Sequence, residues 1–167
     1  MNRFVWIITI FLILLSSPAI SEVADISKAV DLQTPVDSTK SPTRISIVNN
    51  QVIVPVKFWN NGRIITARMI LDTGASVTTI YSKLASELNL GKNKLRRIKT
   101  TSANGSATEA LLTKVDMIEV GDVSQSNADV IYMPSRSEVG ADGLLGNSFL
   151  RYHKFTIDYN NRILRWE

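Results

Sequence analysis

Two alternating apolar runs joined by a two-residue turn constrain this chain most. Val52, Val54, Val56 and Phe58 alternate with Ile53, Pro55, Lys57 and Trp59. A period of two puts one set of side chains on one face of a strand. Pro55 has no backbone N–H, so this strand is expected at an edge or beside a bulge. Asn61-Gly62 follows, and both residues accept the positive φ that a tight hairpin demands. The return strand is expected over 63–71. Further turns fall at Asn104-Gly105, between runs at 98–103 and 106–112, and at Gly121-Asp122, after a strand at 114–120. A strand at 128–133 and a last hairpin, 155–159 with 162–166 turning at Asn160-Asn161, complete the set.

Helix signals are few. Ser82 is expected to cap one helix, whose Leu84 and Leu88 share a face and which Gly91 stops. A second, over 147–152, is expected to follow Gly146. Many short strands, one or two short helices and no internal repeat predict a mainly β single domain with a closed or sandwich-like sheet.

That domain is expected to run over 44–167. Residues 22–43 are rich in Ser, Thr, Asp, Val and Pro, contain no aromatic residue and show no sustained period, which describes a flexible linker. Residues 1–21 read as a signal peptide or signal anchor. Arg3 precedes an almost wholly apolar stretch from Phe4 to Leu15, and Ala19-Ile20-Ser21 offers a small-residue cleavage site. Residues 4–20 are also just long enough to span a bilayer as an anchor. Arg3 lies before the stretch and Glu22, Asp25 and Asp31 after it, so either reading places the domain outside the cytoplasm, in the periplasm or another extracytoplasmic space.

The 167 residues include no cysteine, which excludes disulfides, thiolate catalysis and cysteine–zinc sites. His153, between Tyr152 and Lys154, is the one histidine. It has neither a nucleophile motif nor a second histidine beside it, and reads as structural or exposed. No metal or cofactor is expected. The net charge of +4 has a local source in Lys92, Lys94, Arg96, Arg97 and Lys99. No aromatic residue interleaves with that cluster, so a nucleic-acid surface is not expected.

The return strand ends in Met69-Ile70-Leu71-Asp72-Thr73-Gly74-Ala75-Ser76. An apolar strand thus delivers one carboxylate into a turn of small residues. Downstream, Asp142-Gly143-Leu144-Leu145-Gly146-Asn147-Ser148 sets two bulky apolar residues and a glycine before a helical start. With these segments and the Asn104-Gly105 hairpin, the sequence resembles the retropepsin-like aspartic proteases, in particular their exported or membrane-associated bacterial branch. The resemblance implies a closed β barrel acting as a symmetric homodimer on protein or peptide substrates. It implies Asp72 as the catalytic residue and Thr73, Gly74 and Ala75 as supports of its loop. It makes Ala103, Asn104 and Gly105 the tip of a substrate-covering flap, and packs Leu144-Leu145-Gly146 beneath the active loop. Asp142-Gly143 is expected to make only a turn. Viral members of the family carry arginine where this chain has Asn147, so Asn147 and Ser148 are expected merely to cap the helix.

The chemistry implied needs two carboxylates, one charged to take a proton from water and one protonated to polarise the peptide carbonyl. This chain has one Asp-Thr-Gly, so the second comes from another copy, pairing near terminal edge strands such as 163–166. Two other functions fit the same fold: a catalytically silent peptide-binding module, and an envelope adaptor.

Overall fold

The computed structural model describes residues 40–101, 105, 107–134 and 139–167. The expected signal segment and most of the expected linker lie outside the described residues. Among those described, no helix is long and apolar enough to cross a membrane.

The first hairpin follows the alternation. Strand β1 (Thr43–Arg44) and strand β2 (Ser46–Val48) lead into β3 (Gln51–Asn60), which turns at Asn61 and Gly62 into β4 (Arg63–Leu71). Asn61 and Gly62 both take positive φ, 50° and 74°. Val54, Val56 and Phe58 are wholly buried, while Pro55 and Lys57 face outward. Pro55 stands opposite Arg68 in β4, yet the Arg68 N–H donates to an Asp142 carboxylate oxygen and its carbonyl accepts from the Asp142 N–H. Pro55 and Arg68 thus form a pair without ladder bonds. On its other side β3 pairs with β2 up to Ile53 and with a later strand from Lys57 onward. Pro55 sits in the gap between these partners, so the proline lies at a local edge within an interior strand.

Beyond β5 (Thr78–Ile80) and helix α1 (Ser82–Glu87), the chain forms β6 (Arg96–Thr101), β7 (Ala107–Val120) and β8 (Val123–Tyr132). The two strands expected at 106–112 and 114–120 are one continuous strand, β7. The strand expected at 128–133 begins at Val123, because Gly121 and Asp122 make a two-residue turn with Val120 opposite Val123. Then follow β9 (Gly143–Leu145), helix α2 (Asn147–Leu150), β10 (Phe155–Asp158) and β11 (Ile163–Trp166).

The larger sheet runs β2-β3-β4-β9-β5-β8-β7-β6, and β3 pairs in addition with β7. Its core is built on Phe58, Met69, Ile80, Leu84, Ile118, Leu145 and Phe149, each fully buried. A second sheet orders β1-β11-β10. Here β11 is the central strand, flanked on both sides within the chain. It is therefore not the free edge expected for pairing between copies; β1 and β10 are the edges. Strand β1 starts at Thr43, inside the stretch read as linker, and the buried Thr43 hydroxyl accepts from the Trp166 indole N–H at 3.2 Å.

The ends of the first helix differ from those expected. Ser82 is the first residue of α1 rather than its cap; Tyr81 is the cap and no side chain bonds there. Gly91 does not stop the helix, which ends at Glu87 with Leu88 as its C-cap, before Asn89 turns left-handed, φ 53°. Gly91 instead lies in a single 3-10 turn, Leu90–Lys92. His153 packs against Phe149, ring centroids 4.7 Å apart, and edge-on to Trp166.

Candidate active site

Strands β4 and β9 run parallel, with Leu71 beside Leu145. At the end of β4 the Asp72 N–H donates to the Leu145 carbonyl at 3.0 Å, and the chain then leaves the sheet. The Gly74 N–H donates to Asp72 Oδ1 at 2.8 Å, and the Ala75 N–H to the Asp72 carbonyl at 3.3 Å. A Cβ on Gly74 would stand 3.1 Å from Asp72 Oδ1, so glycine leaves the carboxylate room to lie over the turn. Asp72 is half-buried, and Thr73, Gly74 and Ser76 are exposed.

Helix α2 fixes this loop from beneath. The Asn147 side-chain amide donates to the Thr73 carbonyl at 2.6 Å, and the Asn147 backbone N–H to the Ala75 carbonyl at 2.8 Å. The Ser148 hydroxyl accepts from the Thr78 N–H at 2.9 Å and donates to the Asp129 carbonyl at 3.2 Å. The buried Gly146 N–H donates to the Thr78 hydroxyl at 3.2 Å. A Cβ on Gly146 would lie 2.8 Å from the carbonyl oxygens of Ala75 and Val77, so this contact requires glycine. Asn147 and Ser148 therefore do more than cap α2, whose cap is Gly146 with no side-chain bond. They hold the Asp72 loop.

Two further residues were missed in the sequence. Asp142, expected to make only a turn, clamps Arg68 of β4 with its carboxylate and backbone; its carbonyl accepts from the Tyr81 N–H at 2.9 Å, and Lys83 lies 3.4 Å from its Oδ1. That clamp links β4 to the start of α1. Half-buried Tyr81 lies within electrostatic reach of Asp72: burial of its phenol, then the Asp72 charge, push its pKa above the usual range. Nothing local in the sequence marks Tyr81.

Of the expected flap tip, Ala103 and Asn104 lie outside the described residues. Gly105 is exposed with φ +82°. Below the tip, β6 and β7 pair up to Thr101 opposite Ala107. Among the described residues no cluster of three or more His, Asp or Glu is placed to hold a metal. The centre thus offers one carboxylate on a rigid loop, one oxygen holding a backbone N–H and the other without a bond inside the described chain. One carboxylate can act as acid or as base, but not as both at once.

A β-rich domain that presents Asp-Thr-Gly above an apolar-apolar-glycine strand defines the class of aspartic proteases. The family model described as aspartyl protease matches residues 54–149, more than half of the chain. The chain belongs to the aspartyl protease family. Its fold is similar to that of a retropepsin-like aspartic protease from Rickettsia conorii, with a TM-score of 0.55 at 21% identity, covering 75% of this chain and 90% of that one. No curated protein matches the chain.

Proposed function

We propose that the protein is an aspartic endopeptidase whose active unit is a symmetric homodimer, hydrolysing peptide bonds with water held between two Asp72 carboxylates. The observation that carries this reading is the Asp72 loop: fixed on all sides by its own chain, it leaves one carboxylate oxygen unbonded and supplies one such aspartate per chain. Two carboxylates about 3 Å apart cannot both ionise, and one proton shared between them makes a base and an acid. The charged one takes a proton from water as the oxygen adds to the peptide carbonyl. The protonated one gives its proton to the carbonyl oxygen. Collapse of the resulting diol, with a proton passed to the nitrogen, breaks the C–N bond.

In this reading the exposed Thr73 hydroxyl meets main chain of the second copy, the β6–β7 hairpin with Ala103, Asn104 and Gly105 covers the substrate, and the ring of pairings through β3, β4, β9, β5, β8 and β7 is the family's barrel. The domain acts outside the cytoplasm, delivered there by the N-terminal segment acting as a signal peptide or signal anchor. Deleting 4–15 is expected to return the domain to the cytoplasmic fraction, and unchanged fractionation would refute export.

The dimer is tested by mixing intact chains with Asp72→Asn chains at fixed total protein. Asparagine keeps the shape but neither takes nor shares the proton, so the variant alone is expected to be inactive with an unchanged circular dichroism spectrum. If subunits exchange, activity follows the square of the intact fraction. A straight line in mixtures shown to exchange would mean that one chain suffices.

A further inference from the structure

The function proposed above leaves the basic cluster unused, and the structure gives that cluster a setting. Strand β6 is the last strand of the larger sheet and pairs only with β7, from Arg96 opposite Leu112 to Thr101 opposite Ala107. Its other edge carries no strand among the described residues. A free edge exposes N–H and C=O groups at strand spacing and accepts another extended chain.

The charge along this edge is one-sided. Lys92 and Lys94 lie just before β6, and Arg96 and Lys99 lie on it; all four are exposed and none makes an ion pair within the described chain. Arg97 alone is balanced, by Glu109 at 3.4 Å. At the start of β6 the surface is concave. The cavity there measures about 670 Å³, and Lys92, Lys94 and Arg96 stand along it.

The floor of the groove is rigid. The Asn93 amide donates to the Asn60 side-chain oxygen at 3.0 Å and to the Lys114 carbonyl, while its own oxygen accepts from the Asn61 amide at 2.7 Å. The Thr113 hydroxyl donates to the Lys94 carbonyl at 3.0 Å, pinning the backbone that carries the cations. Lys114 is balanced by Asp129 at 2.9 Å, so it does not extend the positive stretch. The lining also includes Asp116 and Asp129, the latter balanced by Lys114, so Lys92, Lys94 and Arg96 leave the groove with an excess of positive charge that is complementary to a chain of carboxylates.

We propose that β6 and the groove at its start dock an acidic, extended polypeptide segment. Its backbone adds to the free edge of β6, and its carboxylates on one face meet Lys92, Lys94 and Arg96, while Lys99 projects from the opposite face of the strand. Lipid headgroups supply the same negative charge but no backbone to match the edge, and a flat bilayer does not enter a concave groove. From Arg96 to Thr101 the edge spans roughly 17 Å at about 3.3 Å per residue. A segment docked at the groove therefore runs along β6 toward the hairpin tip.

The test measures binding, not turnover, so its failure is separate from failure of the protease reading. The full chain carrying Asp72→Asn is titrated with a fluorescent peptide of about ten residues alternating Glu and Val. Three partners are compared with it: the same peptide with Gln for Glu, the Glu peptide N-methylated at alternate residues, and vesicles mixing phosphatidylglycerol with phosphatidylcholine. The Glu peptide is expected to bind about tenfold or more tightly than the Gln peptide, and to weaken between ~50 and ~500 mM salt. N-methylation on the edge-facing side is expected to weaken it as well. The exposed triple variant Lys92→Gln, Lys94→Gln, Arg96→Gln should keep its circular dichroism spectrum and lose this preference. Equal binding of Glu and Gln peptides, or equal binding of the triple variant, would overturn the proposal. So would vesicle binding without peptide binding, which assigns the cations to a membrane. Binding of neither partner would also overturn it, leaving the cations as guards against edge-to-edge pairing.

Discussion

Removing the Asn147 side chain tests whether the fixed loop matters to catalysis. In Asn147→Ala the 2.6 Å bond to the Thr73 carbonyl is lost, while the backbone bond from residue 147 to the Ala75 carbonyl remains. A bond of this kind contributes about 1 kcal/mol net. The melting temperature should therefore fall by roughly 4 °C for a domain of this size. If that energy holds Asp72 in its working position, one loosened loop lowers kcat/KM about fivefold. An active unit built from two copies contains two such loops, so the loss compounds to about 2 kcal/mol, or roughly thirtyfold. Asn147→Asp, which sets a carboxylate against the carbonyl, should cost more than Asn147→Ala. The assay is peptide turnover beside thermal melting, at protein concentrations above dimer dissociation. A variant that melts earlier but keeps kcat/KM within about twofold of the parent would refute the link between Asn147 and the position of Asp72.

Gly146→Ala forces a Cβ to 2.8 Å from backbone atoms of Ala75 and Val77, which cannot move as a flexible side chain would. An overpacking cost of about 1–3 kcal/mol should lower the melting temperature by roughly 4–12 °C, and an unchanged melt would show that the loop yields at no cost. His153 gives a pH signature: burial, then the charge of Lys40, lower its pKa below the ordinary 6.5. The unfolded chain then binds the proton at a higher pH than the folded one, so stability is fully present above 6.5 and declines as pH falls from there toward the folded value. His153→Gln should flatten that part of the stability curve, and an unaltered slope would remove His153 as its cause.

Where a local pattern carried the information, the sequence was sufficient. The alternation of Val54, Val56 and Phe58 and the positive φ of Asn61 and Gly62 placed the first hairpin and led the chain to Asp72. Local patterns failed where a neighbour far along the chain decided the structure. The strand expected at 128–133 starts five residues earlier because Ser124 and Ser126 pair with Glu119 and Met117 of β7. Asn89, not Gly91, took the left-handed position after α1. The bonds from Asn147 to Thr73 and from Ser148 to Thr78 join residues about seventy positions apart, and no spacing rule announces them. Strand β11 ends the sequence, which suggested an edge, yet β1 and β10 cover both its sides.

These long-range bonds bear on how two copies would meet. The Asp72 N–H, the Thr73 and Ala75 carbonyls and the Gly74 N–H all find partners within the one chain. The loop is therefore ordered without help from a second copy. Association then need not cover the entropy of ordering it, which is one of the costs that weaken interfaces built from mobile segments. What the single chain leaves unsatisfied is the second oxygen of Asp72 and the exposed Thr73 hydroxyl beside it. In the proposed dimer a two-fold axis through the loop would set these groups against the same groups of the other copy, because such an interface pairs a patch with itself. In the proposed dimer, preorganised support and an incomplete acid–base pair belong to one arrangement: each chain would bring half of the site already in shape, and the chemistry would require the other half.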